Sequence, residues 1–281
     1  MDAPLVTVGM DGSVGAFRAL DAAAAEAHVR GARLEVVYCV RDADEAGPVL
    51  RAARARVARR LPRLPVTVRA QDGDPAEVLA RRSRSCALTV VGSRGRTGLP
   101  GLPPHSVGRR LAARTQGPLL VVRGRGGLSA RAAGPRRVLM GLECDDDAEA
   151  VLFAFEEAQL WQAPLHVLQT WTYRPPSPEA AGSRSGPPPA DAAERPGPPS
   201  PAPADRQAQP RAMRPGPEAR ASAARTRPCG GLITATGNAG LIVVAAHRGG
   251  HPWTGRQLGP VTDVLLRQSL CPVVVVPVPG T

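Results

Sequence analysis

Short β-branched runs alternate along the chain with stretches whose apolar residues recur at helical spacing, and the whole pattern occurs twice in 281 residues. In the first half, residues 4–9 and 33–40 are apolar, β-branched runs, and between them Phe17, Leu20, Ala24 and Ala27 recur three to four residues apart behind Ser13. That spacing predicts a strand, a Ser-capped helix and a second strand. Residues 51–61 read as an Arg/Ala-rich helix, Val66-Thr67-Val68 as a strand, and Asp74-Pro75 as the cap and first position of another helix. Residues 87–91, 107–114 and 119–122 then predict strand, helix and strand. Strands that are apolar on both faces and alternate with helices indicate a parallel sheet covered on two sides.

The second half repeats the beginning, with a strand over 137–140, a helix over 147–161 and a strand over 165–170. It then loses the pattern. Residues 174–228 hold about half of the chain's 31 prolines among Gly, Ser, Ala and Arg, a composition expected to stay disordered. Order resumes at Leu241 and closes on Pro272 to Val276, as the first half closes on Pro118 to Val122. Gly9 corresponds to Gly141 and Pro118 to Pro272, so the offset between copies grows from 132 to 154 residues. That growth is smaller than the Pro-rich segment, so part of a copy is expected to be missing: its second helix, third strand and part of the third helix. The expected organisation is a first domain over 1–125, a linker over 126–134, and a degenerate second domain over 135–281 interrupted by the insert 174–228.

Composition narrows the function classes. The net charge of +12 comes entirely from 36 arginines with no lysine, which reads as coding bias rather than as a nucleic-acid footprint. Aromatic residues are only 3% and do not interleave with the arginines, so platforms for stacking single strands are absent. No run of about 18 apolar residues predicts a membrane helix, and a cytoplasmic protein is the expectation. Five cysteines lie scattered without a C-x-x-C pair, and His247 and His251 have no neighbouring Cys or carboxylate, so no metal site is expected. The acids from Glu143 to Asp147 suit a helix N-terminus. No Ser/His/Asp or Cys/His arrangement suggests nucleophilic catalysis.

The distinctive chemistry lies in two glycine-bearing elements. Val8-Gly9-Met10-Asp11-Gly12-Ser13 ends the first strand, and about 80 residues later Gly92, Gly95, His105 and Ser106 follow an apolar strand in the register Gly-x2-Gly-x9-(Gly)-Ser. With a closing Pro-Leu-Leu-Val-Val strand, these elements resemble the universal stress protein family in a tandem two-domain form. The resemblance implies two Rossmann-like α/β domains (adenine nucleotide alpha hydrolase-like), each a parallel sheet of order 3-2-1-4-5, the second lacking its third strand. It implies that ATP binds in the first domain only, with Mg accompanying it, and that catalysis is at most slow hydrolysis or autophosphorylation. It also implies that the last strands pair with each other, within one chain or between two.

In that reading Asp11 faces the adenosine end and Val40 lies against the adenine. Gly92 and Gly95 allow backbone to approach a polyphosphate, and Ser106 and Val107 open the next helix with hydroxyl and amide groups. The third glycine of the pattern is His105 here, which either obstructs the site or adds a donor to it. The residues also fit plainer roles: Asp11 a helix cap, Gly92 and Gly95 turns. In the second copy Ala246 (or Ala245, if an indel shifts the register), Gly249, Gly259 and Pro260 occupy the pattern and Glu143 replaces the aspartate, so no site is expected there. The functional expectation is a stress-response regulator that binds an adenine nucleotide and contacts an unidentified protein; the alternative is a scaffold without nucleotide, using the Pro/Arg-rich insert as a docking tail.

Overall fold

Strand β1 (Leu5–Met10) has Val6 and Val8 fully buried, and it lies between two parallel neighbours, β2 (Arg33–Cys39) and β4 (Leu88–Gly92). The computed structural model describes residues 3–39, 43–93, 107–123, 137–142, 147–170, 219–224, 228–246, 248–251 and 255–278. In the first half the chain runs β1, α1 (Val14–Val29), β2, α2 (Ala43–Arg60), β3 (Val66–Gln71), α3 (Pro75–Ser83), β4, α4 (Val107–Ala112) and β5 (Leu119–Val122). The second half runs β6 (Val138–Leu142), α5 (Ala148–Leu160), β7 (Leu165–Thr170), β8 (Ala219–Ala224), α6 (Pro228–Thr236) and β9 (Leu241–Ala246). It continues with a hairpin of β10 (Arg248–His251) and β11 (Gly255–Leu258), then α7 (Pro260–Gln268) and β12 (Val273–Pro277).

The strands form one ten-stranded sheet of order β3-β2-β1-β4-β5-β12-β9-β6-β7-β8. Each half contributes five strands in the order 3-2-1-4-5, and the halves join where β5 and β12 pair antiparallel, with Leu120 opposite Val274. The pairing of the two last strands is therefore within the chain. Helices α1, α2 and α5 cover one face through an alanine-rich core, and α3, α4, α6 and α7 cover the other.

Three expectations for the second half need correction. It does not lack its third strand: β8 pairs parallel with β7 over six residues, from Leu165 opposite Ala219 to Thr170 opposite Ala224. The stretch 174–228 is consequently not disordered throughout, since β8 and the first residue of α6 fall inside it. Ala-Arg-Ala-Ser-Ala-Ala has little intrinsic strand preference, and the open edge of β7 supplies the pairing that overrides it. Nor is the third helix truncated, because α6 and α3 are both nine residues long and both begin at proline. A counterpart of α2 would fall within 171–218, outside the described residues. Residues 248–251 and 255–258 pair as the β10–β11 hairpin.

The equivalence of the copies extends to packing. A Cβ on Gly9 would stand 2.7 Å from Leu79 of α3, and one on Gly141 would stand 3.2 Å from Leu232 of α6. In both copies the glycine lets the third helix close onto the first strand.

Where the halves meet, two equivalent glutamates share one cation. Glu26 and Glu157 are 0% and 1% exposed, and each directly precedes the alanine whose carbonyl accepts the helix-ending bond, Ala27 from Ala32 and Ala158 from Ala163. Arg30 lies 3.5 Å from Glu26, forms an ion pair with Glu157, and stacks over Phe153 with 5.4 Å to the ring centroid. Trp161 Nε1 donates to Glu157 Oε1 at 3.0 Å. Two buried carboxylates around one guanidinium depend on it, because an ion stripped of its partner in a dry interface is costly. Replacing Arg30 with Met is expected to lower the unfolding free energy by about 3 kcal/mol, read as a fall in the urea midpoint at constant slope. An unchanged midpoint would show that the glutamates do not depend on this cation.

Candidate functional site

A site in the first half follows from chain direction. After β1 the chain enters α1 on one face of the sheet, whereas the segment after β4 leads to α4 on the other. Adjacent parallel strands whose connections leave to opposite sides open a crevice at their carboxyl ends, the usual ligand position in open α/β sheets. Asp11, directly after β1, and Gly92, the last residue of β4, both stand there.

Asp11 is half-buried, and its Oδ1 accepts the Ser13 backbone N–H at 2.9 Å. Ser13 in turn accepts from the Ala16 N–H at 3.1 Å and caps α1. Between them Gly12 has φ +74°, and a Cβ there would stand 3.2 Å from Val49 of α2. The turn is thus built by glycine for two reasons, backbone conformation and the closeness of α2. Val14, the first residue of α1, is 70% exposed and places an apolar side chain beside this turn; the sequence pattern did not single it out, since it lacks a polar signature.

Gly92 has a tighter explanation than the approach of a phosphate. A Cβ on it would stand 2.9 Å from both the carbonyl carbon and oxygen of Gly15, in the first turn of α1. Its missing side chain is required by helix packing. Ser93, next along, donates its N–H to the Val122 carbonyl at 3.0 Å, which ties the exit of β4 to the end of β5. Val107 opens α4 and is partly buried against the core of the second face. Val40, Gly95, His105 and Ser106 lie outside the described residues. Of the seven residues expected to line the site, Asp11 and Gly92 are brought to one crevice and Val107 begins the helix beyond it.

Cys39 ends β2 at the same edge of the sheet, and burial pushes its thiol up to about 11. A thiol held neutral in this way is a poor nucleophile at ordinary pH. Among the described residues no three His, Cys, Asp or Glu side chains converge to hold a metal ion, and no helix is long and apolar enough to cross a membrane.

The equivalent place in the second half has lost its determinants. Ala245 holds the position of Gly92, because it pairs with Val276 of β12 as Gly92 pairs with Val122 of β5, and Val276 and Val122 are equivalent about the Leu120–Val274 pair. It carries the Cβ that the first copy excludes, and the helix α5 that faces it is shorter than α1, 13 residues against 16. Pro260 stands at the first position of α7, where it offers no N–H. Gly259 precedes it as a cap without a side-chain bond, and Thr262 turns its hydroxyl to the Ala245 carbonyl at 3.2 Å. Glu143 to Asp146 lie outside the described residues, and Asp147, fully buried, precedes α5 without a side-chain capping bond.

Comparison with known proteins agrees with this architecture. The sequence matches the universal stress protein family over residues 41–123 and 134–277, more than half of the chain and in two segments. Among solved structures, a universal stress protein from Archaeoglobus fulgidus DSM 4304 superimposes with a TM-score of 0.67 at 16% identity, covering 99% of this chain and 97% of that one. A functionally unknown protein from Pseudomonas aeruginosa PAO1 gives a TM-score of 0.60 at 14% identity, covering 98% and 93%. At these identities the likeness is one of fold, and it extends over both halves of each chain. A sequence search among curated proteins finds no match. The doubled 3-2-1-4-5 sheet and the two matched segments place this chain in the universal stress protein family, in a tandem two-domain form.

Proposed function

We propose that this protein is a cytoplasmic stress-response regulator that binds ATP, or a related adenine nucleotide, in its first domain, residues 1–125, and that its second domain, 135–281, serves as a structural partner. The observation that carries the reading is the convergence of Asp11 and the end of β4 at the crevice between two strands whose connections leave in opposite directions. Asp11 accepts a backbone N–H with Oδ1, and an ionised carboxylate, which only accepts and has several lone pairs, suits a ribose hydroxyl. Gly95, His105, Ser106 and Val107 would then follow the phosphates along the loop into α4, with Val40 against the base. Any Mg would travel with the triphosphate, since among the described residues no three metal-ligating side chains converge.

Nucleotide here acts as a ligand and not as a substrate for efficient turnover. The sequence shows no Ser/His/Asp or Cys/His arrangement and no carboxylate evidently placed to activate water, which favours this reading. A change in the loop over 93–108 would be the output, read by a protein that contacts it.

A second reading, a scaffold that binds no nucleotide, draws on Gly92. The Gly15 backbone, 2.9 Å from where a Cβ on Gly92 would stand, accounts for one of the glycines without any ligand. The readings separate in a melting experiment. At 100 times its dissociation constant, ATP is expected to add about 2.7 kcal/mol to the stability of the parent chain. Asp11→Ala and Gly95→Ala are each expected to weaken binding by about tenfold or more, roughly 1.4 kcal/mol. A melting curve indifferent to ATP, or an ATP response indifferent to both substitutions, would leave the scaffold reading standing. Gly92→Ala is expected to behave differently: it lowers stability by about 1–3 kcal/mol through overpacking against α1, with or without ATP, as measured by denaturant titration.

A further inference from the structure

The antiparallel pairing of β5 with β12 relates the two halves by an approximate two-fold axis, so that equivalent residues meet across it. Thr115 bonds back to Leu111 as Ser269 bonds back to Leu265, which makes Arg109 and Asp263, each two residues before that leucine, the same position in the two copies. These two face one another. Arg109 Nε donates to Asp263 Oδ1 at 2.6 Å, with Asp263 also held by Arg267 on its own helix at 2.6 Å. A position that meets its own equivalent in a two-fold interface ordinarily meets an identical residue. Here one copy carries a cation and the other an anion.

The same asymmetry recurs at two further positions. Arg30 stands four residues after Glu26, where the second copy has Trp161 after Glu157, and Arg30 serves both glutamates. Arg123 follows β5 and donates to the carbonyls of Leu266, Arg267 and Ser269, closing the C-terminus of α7. Its equivalent about the Leu120–Val274 pair is Pro277, the last residue of β12, which has no donor. In all three places the first half supplies the cation and the second half the acceptor.

We propose that this charge pattern makes the β5–β12 face a pairing surface for unlike domains, so that a second domain accepts a first-domain face and rejects another second domain. Two second domains brought together in this geometry would oppose Asp263 to Asp263 and bury two Glu157 carboxylates without Arg30. They would also leave the α7 carbonyls without Arg123. Two first domains would balance Glu26 against Arg30 on each side and would clash where Arg109 meets Arg109. Specificity is a difference of affinities that unlike charges raise for the right partner and like charges lower for the wrong one, and both devices are present here. The surface therefore fits the first-domain face of the same chain, and it distinguishes that face from its own copy.

The test is a charge exchange in the full-length chain, read by thermal melting at low salt. Arg109→Gln removes the attraction and is expected to lower the midpoint by about 1 °C, whereas Arg109→Asp sets acid against acid and is expected to lower it by about 3 °C. Asp263→Arg is expected to cost a similar amount. The double variant Arg109→Asp/Asp263→Arg is expected to melt above either charge-reversed single variant, because unlike charges face each other again. Arg109→Asp no worse than Arg109→Gln would overturn the repulsive half of the proposal. A double variant no more stable than the weaker single variant would overturn the pairing itself. If Arg109→Asp does not fold, recovery of folded protein on adding Asp263→Arg supports the proposal and failure to recover contradicts it.

Discussion

Everything in this molecule depends on how two apolar edge strands are covered. Leu119 to Val122 and Val273 to Val276 are buried along their whole length, and neither could remain at a sheet edge without offering a hydrophobic template to other chains. Pairing them antiparallel closes both edges at once and turns two five-stranded sheets into one of ten. It also fixes which helices meet: α1 reaches α5 through Arg30 and Glu157, and α4 reaches α7 through Arg109 and Asp263. The chain has become its own partner.

The two copies keep the same residues where packing demands them and differ elsewhere. Gly141 persists because Leu232 presses on it as Leu79 presses on Gly9. Ala245 stands where the first copy has Gly92, on which a Cβ would lie 2.9 Å from the Gly15 backbone of α1. Pro260 begins a helix well but withdraws the amide that an anion would use. The two copies share a core and differ in chemistry at the crevice. The same contrast explains the interface, where shared glutamates are served by an arginine from one side alone.

Much of this was legible in the sequence, and the exceptions have physical causes. Strands rich in Val and Leu, the Ser13 cap and the Asp74-Pro75 helix start appear in the structure where local pattern predicted them. Local signals suffice there because period and capping are local properties. Strand β8 was not legible, since Ala219 to Ala224 has no β-branched residue and becomes a strand through the edge of β7. Gly92 was legible as a special glycine, but its closeness to Gly15 was not, since that approach spans nearly 80 residues of sequence and is invisible to a motif. The shared cation Arg30 lay out of reach for the same reason, being 127 residues from Glu157.

The central claim is that a doubled fold carries a single nucleotide site, in the half where Asp11 follows β1 and the end of β4 packs against α1. Isothermal titration of the full chain with ATP in the presence of Mg measures this directly through its stoichiometry. The account predicts one ATP per chain, lost on Asp11→Ala. Two equivalents per chain, or no binding heat at concentrations where the parent chain is folded, would contradict it.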